Sequence, residues 1–148
     1  MKIALCSDEP YPLLETIRTQ LEKRGHRSAS FGATESETAP WASSAEKAAL
    51  SIARGENEEG IFVCWSGTGI AMAANKVPTI RAALCLDAGS AAAARTWNHA
   101  NVLCLSSRAT ASDIANEILD RWFETPWGAA GKKGTEDLLA VDERWRRR

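Results

Sequence analysis

Short apolar runs alternate with longer amphipathic segments along the chain. Five runs predict strands, of which the second is weak: Lys2–Cys6, His26–Phe31, Ile61–Cys64, Ile80–Leu86 and Asn101–Leu105. Apolar residues at helical spacing predict helices between and after them: Pro12–Gly25, Trp41–Arg54, Gly67–Asn75, Ala88–Trp97 and Ser112–Phe123. Strands separated by helices form parallel sheets covered on both faces, so we expect a three-layer αβα Rossmann-like sandwich with a five-stranded parallel sheet.

The pattern also predicts where elements stop. Gly25 suits the end of the first helix, and Ser112 or Thr110 suits the cap of the last of the five. After Thr125 the composition changes to a flexible connector over 126–134, a final helix at Glu136–Trp145 and a solvated arginine tail at 146–148. We therefore expect an α/β domain over 1–125 and a C-terminal extension over 126–148 that packs on the domain or on a dimer partner.

Composition narrows the function classes. The 148 residues suit one domain, and 45% hydrophobic with 25% charged residues excludes disorder as the main state. A net charge of −1 supplies no field for a polyanion, so we expect no nucleic-acid partner. No stretch is as long and apolar as a membrane span or a signal segment, so we expect a cytoplasmic protein that does not bind membranes.

The four cysteines form no CxxC pair and no metal-ligand cluster with histidine. Three of them lie in short apolar runs and are expected to be buried, reduced thiols: Cys6, Cys85 and Cys104. In doubly wound sheets ligands bind beyond the carboxyl ends of the strands. That rule selects four candidate segments: Ser7–Glu9, Cys64–Gly69, Asp87 and Ser106–Arg108.

The richest of these segments runs from Val63 to Lys76. Cys64 ends a strand, a Ser-Gly-Thr-Gly turn follows, and a helix begins. The glycines let backbone N–H groups converge, and the helix dipole adds positive potential that favours an oxyanion and a nearby thiolate. Such a turn also occurs for packing reasons alone, so the motif leaves both interpretations open.

Several segments together resemble the ribose-5-phosphate isomerase B family, which includes the galactose-6-phosphate isomerase subunits. The resemblance spans residues 1–124 with the same element order. Its motifs are a Lys-Ile-Ala strand ending in Ser/Cys-Asp, a cysteine loop followed by Ala-Ala-Asn-Lys, and then Ile-Arg-Ala. They match here at Lys2–Asp8, Cys64–Lys76, Ile80–Cys85 and Asn98–Leu103.

The resemblance implies roles for individual residues. Cys64 would be the base that moves a proton between C1 and C2 of the open-chain sugar, and Ser66 would help move protons on the sugar oxygens. The enediolate would bind the backbone amides of Gly67, Thr68, Gly69 and Ile70, and the sugar would contact Asp8 and Asn98. One branch of the family uses a glutamate where Ile70 stands, which favours Cys64 here. This chemistry needs no metal and no organic cofactor, so none is expected.

Four departures from the family pattern change the expected site. Glu9 and Tyr11 replace the histidine and glycine of Asp-His-x-Gly, Trp65 replaces the glycine after the cysteine, and Trp97 replaces the ring-opening histidine. Glu9 and Trp97 therefore join the predicted substrate-binding residues. The C-terminal phosphate anchors have no clear match; the candidates are Lys132, Lys133 and Arg144. His99 falls two residues too late and is expected to be a surface or capping residue.

The lost histidine suggests a substrate that needs no ring opening. A four-carbon sugar phosphate cannot close a furanose through its phosphorylated oxygen, and bulky Trp65 and Trp97 suit a small ligand. We therefore expect a short or linear sugar phosphate such as a tetrulose phosphate, with ribose 5-phosphate as the alternative because rings also open spontaneously.

Two other classes compete. A non-catalytic sugar-phosphate-binding paralogue is favoured by the lost histidine and opposed by the retained Cys64 and Ser66. A receiver-like signalling domain needs an aspartate where Cys64 stands, so it is disfavoured. The resemblance implies a homodimer or a dimer of dimers. The other four tryptophans are expected in the core or at an interface: Trp41, Trp122, Trp127 and Trp145.

Overall fold

Five parallel strands form one sheet in the computed structural model, which describes residues 1–146. The strands are β1 (Lys2–Ser7), β2 (Arg27–Gly32), β3 (Glu59–Cys64), β4 (Ala82–Leu84) and β5 (Val102–Ser106), in the order β2-β1-β3-β5-β4. The helices are α1 (Leu13–Lys23), α2 (Trp41–Ala53), α3 (Thr68–Ala74), α4 (Ala88–Asn98), α5 (Ser112–Glu124) and α6 (Lys132–Arg146). This architecture confirms the predicted αβα sandwich. The predicted tail arginines at 147 and 148 lie outside the described residues.

Successive side chains of the central strands point into two separate hydrophobic cores, one on each face of the sheet. One face packs against α1, α4 and α5 and receives Ile61 and Val63 of β3. The other face packs against α2 and α3 and receives Phe62 and Cys64. Because successive side chains of a strand point to opposite faces, the position of Cys64 in β3 fixes which helical layer it meets.

The end of α1 follows the sequence prediction. Gly25 has a positive φ of 71°, its N–H donates to the Glu22 carbonyl at 2.9 Å, and the His26 N–H donates to the Leu21 carbonyl at 2.9 Å. These two bonds form a Schellman motif, in which glycine adopts the left-handed conformation at low cost.

Side-chain hydrogen bonds change two predicted boundaries. The Asn75 amide bonds both the N–H and the C=O of Ala82, at 2.8 and 2.9 Å, and the Asn101 amide takes the Arg81 N–H at 2.8 Å. These amides bind backbone groups at the start of β4, which is shorter than the predicted Ile80–Leu86. The predicted cap of α5 is wrong, because its N-cap is Ala111 and the Ser112 hydroxyl instead lies 3.1 Å from that of Thr16.

The C-terminal segment is more ordered than predicted. The flexible connector over 126–134 is wrong: a 3₁₀ turn covers Ala129–Gly131, and α6 begins directly after it. Gly131 lies against α4 so closely that a Cβ would be 2.3 Å from the Thr96 carbonyl oxygen, which explains the glycine-rich composition. Of the four tryptophans expected in the core or at an interface, Trp122 is fully buried. None of the described helices is long and apolar enough to cross a membrane.

A buried ion pair ties three elements together at the edge of the sheet where the strands begin. Arg95 of α4 donates to Glu59 of β3 at 2.8 Å, and both side chains are about nine-tenths buried. The second oxygen of Glu59 accepts from the Trp122 indole at 2.8 Å, and Arg95 also donates to the carbonyls of Ala100 and Thr125. Partners on both sides satisfy the charges that burial would otherwise destabilise.

We predict that Arg95→Met lowers the free energy of unfolding by about 3 kcal/mol, because it leaves the Glu59 carboxylate buried without its cation. Urea unfolding followed by tryptophan fluorescence measures the change. Lys132→Met removes a cation of an exposed i,i+4 pair with Glu136 and should leave stability essentially unchanged. Equal stability of Arg95→Met and the wild type would contradict the assignment.

Candidate active site

The crevice between the carboxyl ends of β1 and β3 is the topological switch point of the sheet. From β1 the chain leaves toward β2, and from β3 it leaves toward β4 on the other side. Ligands bind at such a point in doubly wound sheets. Asp8 and Glu9 follow β1, and the loop from Cys64 to Gly67 follows β3, so the structure brings these predicted residues to one crevice.

Gly67 shapes the loop between β3 and α3. Its φ is +77°, and a Cβ there would lie 2.5 Å from Cδ1 of Leu84 and 3.0 Å from the carbonyl carbon of Leu105. The position therefore combines a left-handed backbone with no room for a side chain. Cys64 lies just before the turn, is 5% exposed and packs in the core formed with α2 and α3.

The segment after β5 is hydrogen-bonded to the loop between β3 and α3. The N–H groups of Ser107 and Arg108 donate to the carbonyls of Cys64 and Trp65 at 2.9 and 3.1 Å, and the Ser106 hydroxyl also donates to Trp65 at 2.9 Å. These bonds occupy the loop carbonyls. The first amides of α3 have no partner inside the helix, although that of Thr68 makes a long bond of 3.4 Å to Ser66 Oγ, and these amides are the groups that an oxyanion can use.

Two hydroxyls stand at the start of α3. Ser66 Oγ and Thr68 Oγ1 lie 2.6 Å apart, and both side chains are exposed. Gly69 is covered by Trp41, whose ring lies 3.3 Å from where a Cβ would stand. The Ile70 side chain is fully buried, so this residue can offer a ligand only its backbone.

Asp8 lies beside the loop and is joined by Tyr11, which the sequence marked only as a departure from the family pattern. Its carbonyl accepts from the Ala39 N–H at 2.9 Å, whereas its carboxylate atom Oδ1 is buried. The hydroxyl of Tyr11 is also buried, and burial together with the charge of Asp8 raises the pKa of Tyr11. Glu9 is exposed, and its carbonyl accepts from the Ser7 hydroxyl at 2.6 Å. The replaced family glycine at position 11 was the signal for Tyr11.

Arg108 is a second residue that lies against the loop after β3. Its guanidinium carbon lies 5.7 Å from the centroid of the Trp65 ring, and Trp65 is 60% exposed. The other basic candidates lie elsewhere, on α6, where Lys132 and Lys133 pair with Glu136 and Asp137. The position of Arg108 at the carboxyl end of a strand had marked it, although its stacking on Trp65 had no sequence signal.

Trp97 and Asn98 lie away from Cys64 in the same chain. Both are exposed at the end of α4, and Asn98 lies near Arg81 and Ala100, where β4 and β5 begin. Cys64 lies level with Ser106 at the other end of β5. A five-residue strand separates the two ends by roughly 13 Å. The structure therefore does not bring these two predicted residues into the crevice within one chain.

His99 and Asp87 have structural roles. His99 caps α4 with a φ of 47°, its Nε2 lies 2.7 Å from the Gly128 carbonyl, and its ring stacks on Trp127. The capping interpretation of His99 is confirmed. Asp87 caps the start of α4 by accepting from the Ser90 N–H at 2.6 Å, and that bond lowers the pKa of its carboxyl.

The other three cysteines are buried and free, as predicted. Burial raises the pKa of Cys6 to about 12 and that of Cys85 to about 11, and it raises the pKa of Cys104 as well. They are therefore neutral thiols at physiological pH. Within residues 1–146 no three histidine, cysteine or acidic side chains are placed to hold a metal ion.

Comparisons with known proteins show which chains this one is similar to. The model of the Ribose/Galactose Isomerase family matches residues 3–137. The chain is 34% identical to ribose-5-phosphate isomerase B of Escherichia coli over 97% of both chains. It is 39% identical to D-erythrulose-4-phosphate isomerase of Pectobacterium atrosepticum over 56% of this chain and 55% of that one. The solved ribose-5-phosphate isomerase B of Clostridium thermocellum superposes with a TM-score of 0.92 at 34% identity, covering 98% of this chain and 99% of that one.

We predict that Gly67→Ala destabilises the protein more than Gly25→Ala. Both residues have a positive φ, but a Cβ at Gly25 meets nothing within 4 Å. Gly25→Ala should therefore cost only backbone strain, about 1 kcal/mol, and Gly67→Ala should cost about 1–3 kcal/mol more through the clash with Leu84 and Leu105. Urea unfolding of both variants measures the difference, and equal costs would refute the steric argument.

Proposed function

Because the chain belongs to the ribose/galactose isomerase family and is an aldose–ketose isomerase of sugar phosphates, we propose that it works through an enediolate with Cys64 as the base. The observation that carries this proposal is the position of Cys64. It ends the central strand, lies directly before the turn that begins α3, and neighbours Asp8 across the switch point. No other cysteine in the described residues stands at a strand end beside this loop.

In the proposed reaction the Cys64 thiolate removes the proton from C2 of the open-chain aldose. The electron pair moves into the C1–C2 bond and gives an enediolate, whose negative oxygen accepts hydrogen bonds from the amides of Gly67–Ile70. The thiol then returns the proton to C1, which yields the ketose. The hydroxyl of Ser66, 2.6 Å from that of Thr68, carries protons between the sugar oxygens. This sequence conserves atoms and electrons without a cofactor.

We place the phosphate near Arg108. This side chain lies on the same side of the sheet as Cys64, over the exposed face of Trp65. An arginine suits a phosphate because its planar guanidinium can donate two parallel hydrogen bonds. The lysines of α6 are less suited within one chain, because they lie beyond α4 and pair with acidic side chains.

Trp97 and Asn98 would then reach the crevice from a second copy of the chain. They are exposed at one edge of the sheet, whereas Cys64 lies at the other. In a twofold dimer a residue of one copy contacts the site of the other and the reverse contact follows by symmetry. We therefore propose a homodimer, or a dimer of such dimers, with two shared sites.

A short substrate fits this site better than a pentose phosphate. Trp65 is a bulky residue next to Cys64. The Trp97 indole cannot act as the general acid or base that ring opening requires. The similarity to a protein named D-erythrulose-4-phosphate isomerase supports a four-carbon ligand. We therefore propose tetrulose 4-phosphates as substrates ahead of ribose 5-phosphate.

The first test is a panel of three- to six-carbon sugar phosphates, assayed for proton exchange with solvent. We expect the highest kcat/KM with a tetrose or tetrulose phosphate, and Cys64→Ala should lower exchange by a factor of about 10³. Cys85→Ala is the matched control, because it removes a buried thiol that packs in the other core. Full exchange by Cys64→Ala would refute the cysteine base, binding without exchange by the wild type would favour the non-catalytic paralogue, and better turnover of ribose 5-phosphate would refute the short substrate.

The second test mixes two variants that are each impaired, Cys64→Ala and Asn98→Ala. After unfolding and refolding together, about half of the dimers should be mixed, and each mixed dimer should hold one intact site. Activity should therefore rise toward a quarter of the wild-type value. Activity no higher than the average of the two separate variants would show that Cys64 and Asn98 do not meet across a dimer.

A further inference from the structure

Tyr11 is held rigidly beside the crevice. It is the one tyrosine of the chain and lies between Pro10 and Pro12, which restrict its backbone. Its N–H donates to the Glu9 carbonyl at 2.9 Å, and its carbonyl accepts from the Leu14 N–H at 3.1 Å at the start of α1. Its ring packs against the core formed by α1, α4 and α5. The position of the phenol hydroxyl is therefore fixed by the fold.

The hydroxyl and the neighbouring Asp8 carboxylate interact with each other, but neither oxygen has a hydrogen-bond partner of good geometry. Among the described residues, Tyr11 Oη and Asp8 Oδ1 are buried side-chain oxygens without such a partner. A buried polar atom left in this state is destabilising, so the protein keeps such atoms for a reason. Burial, then the charge of Asp8 and a hydrogen-bonding interaction with its side chain, raises the pKa of Tyr11, and Glu9 and Cys64 add to the effect. The phenol therefore stays protonated and can donate, whereas Asp8 can accept.

We propose that Tyr11 Oη and Asp8 Oδ1 together bind the C3 hydroxyl of the sugar phosphate, with Tyr11 as the donor and Asp8 as the acceptor. A hydroxyl group both donates and accepts, so one such pair satisfies it completely. Tyr11 is then a specificity-determining residue that selects substrates with a hydroxyl next to the reacting carbons. This inference rests on the proposed function of Cys64.

The placement of the two strands favours C3. Asp8 and Tyr11 follow β1, and Cys64 ends β3, the neighbouring strand. Neighbouring strands lie about 4.8 Å apart. With C1 and C2 of the sugar at Cys64, groups that follow the neighbouring strand are therefore at a suitable distance to contact a substituent on C3. The substitutions also agree, because this chain has Glu9 where the resemblance has histidine. The Tyr11 phenol thus supplies a hydrogen-bond donor to a segment that has lost the imidazole.

The kinetic test compares Tyr11→Phe with the wild type on two ketose phosphates, a tetrulose 4-phosphate and its 3-deoxy analogue. Tyr11→Phe keeps the ring that packs in the core and removes only the hydroxyl. We expect its kcat/KM for the hydroxylated substrate to fall roughly tenfold, mainly through KM, and its value for the 3-deoxy analogue to stay unchanged. An equal fall for both substrates, or for neither, would overturn the proposal.

A binding measurement gives a readout that does not depend on turnover. Because the chain has one tyrosine, incorporation of tyrosine labelled with ¹³C at Cζ gives a single resonance. In the Cys64→Ala background, the tetrulose 4-phosphate should shift this resonance and the 3-deoxy analogue should leave it nearly unmoved. Identical shifts with both ligands would overturn the proposal. Loss of exchange activity in the wild type with every sugar phosphate would instead overturn the proposed function, and the role of Tyr11 with it.

Discussion

The buried pair of Glu59 and Arg95 sets the geometry on which both ends of the sheet depend. Glu59 begins the central strand that ends at Cys64, and Arg95 lies one turn before the end of α4. The second oxygen of Glu59 accepts from Trp122, and Arg95 also donates to the carbonyls of Ala100 and Thr125. A buried ion pair rarely adds net stability, but it admits few alternative arrangements. Here it fixes the position of β3 along its axis relative to α4. It therefore also fixes the distance between the crevice at the end of β3 and the exposed end of α4.

Most of the fold followed from the hydrophobic pattern because parallel strands buried on both faces are almost continuously apolar. β3 is buried along its whole length, and its run was the clearest in the sequence. β2 lies at the edge of the sheet, where four of its six residues are exposed and none is buried, which is why its pattern was weak. The start of β4 was not predictable, because it depends on hydrogen bonds from the side chains of Asn75 and Asn101, which lie outside the strand. Likewise, the glycines after Thr125 indicated flexibility, whereas Gly131 is needed for close packing on Thr96.

The site residues likewise divide into those that contiguous sequence predicts and those that depend on tertiary contacts. The turn at Gly67 was predictable, because a strand, a glycine-rich turn and a helix are contiguous in sequence. The sequence marked the positions of Tyr11 and Arg108 but predicted no substrate contact for either, because what makes them relevant is tertiary: the phenol meets Asp8, and the guanidinium covers Trp65. Trp97 and Asn98 entered through the family resemblance, which marks a residue as important without saying which copy of the chain it serves.

The exposed tryptophans connect the two ends of the sheet. Trp65 at the carboxyl edge is 60% exposed and Trp97 at the opposite edge is 56% exposed, although indole rings are among the side chains that gain most from burial. In one chain these rings cannot cover each other, because they lie at opposite ends of β5. A twofold contact that places the end of α4 over the crevice of a second copy brings Trp97 of each chain to the Trp65 side of the other and can shield both pairs. Aromatic residues in this position are typical of the centre of an interface. The same contact would exclude water from the proposed enediolate, so assembly and catalysis would depend on one surface.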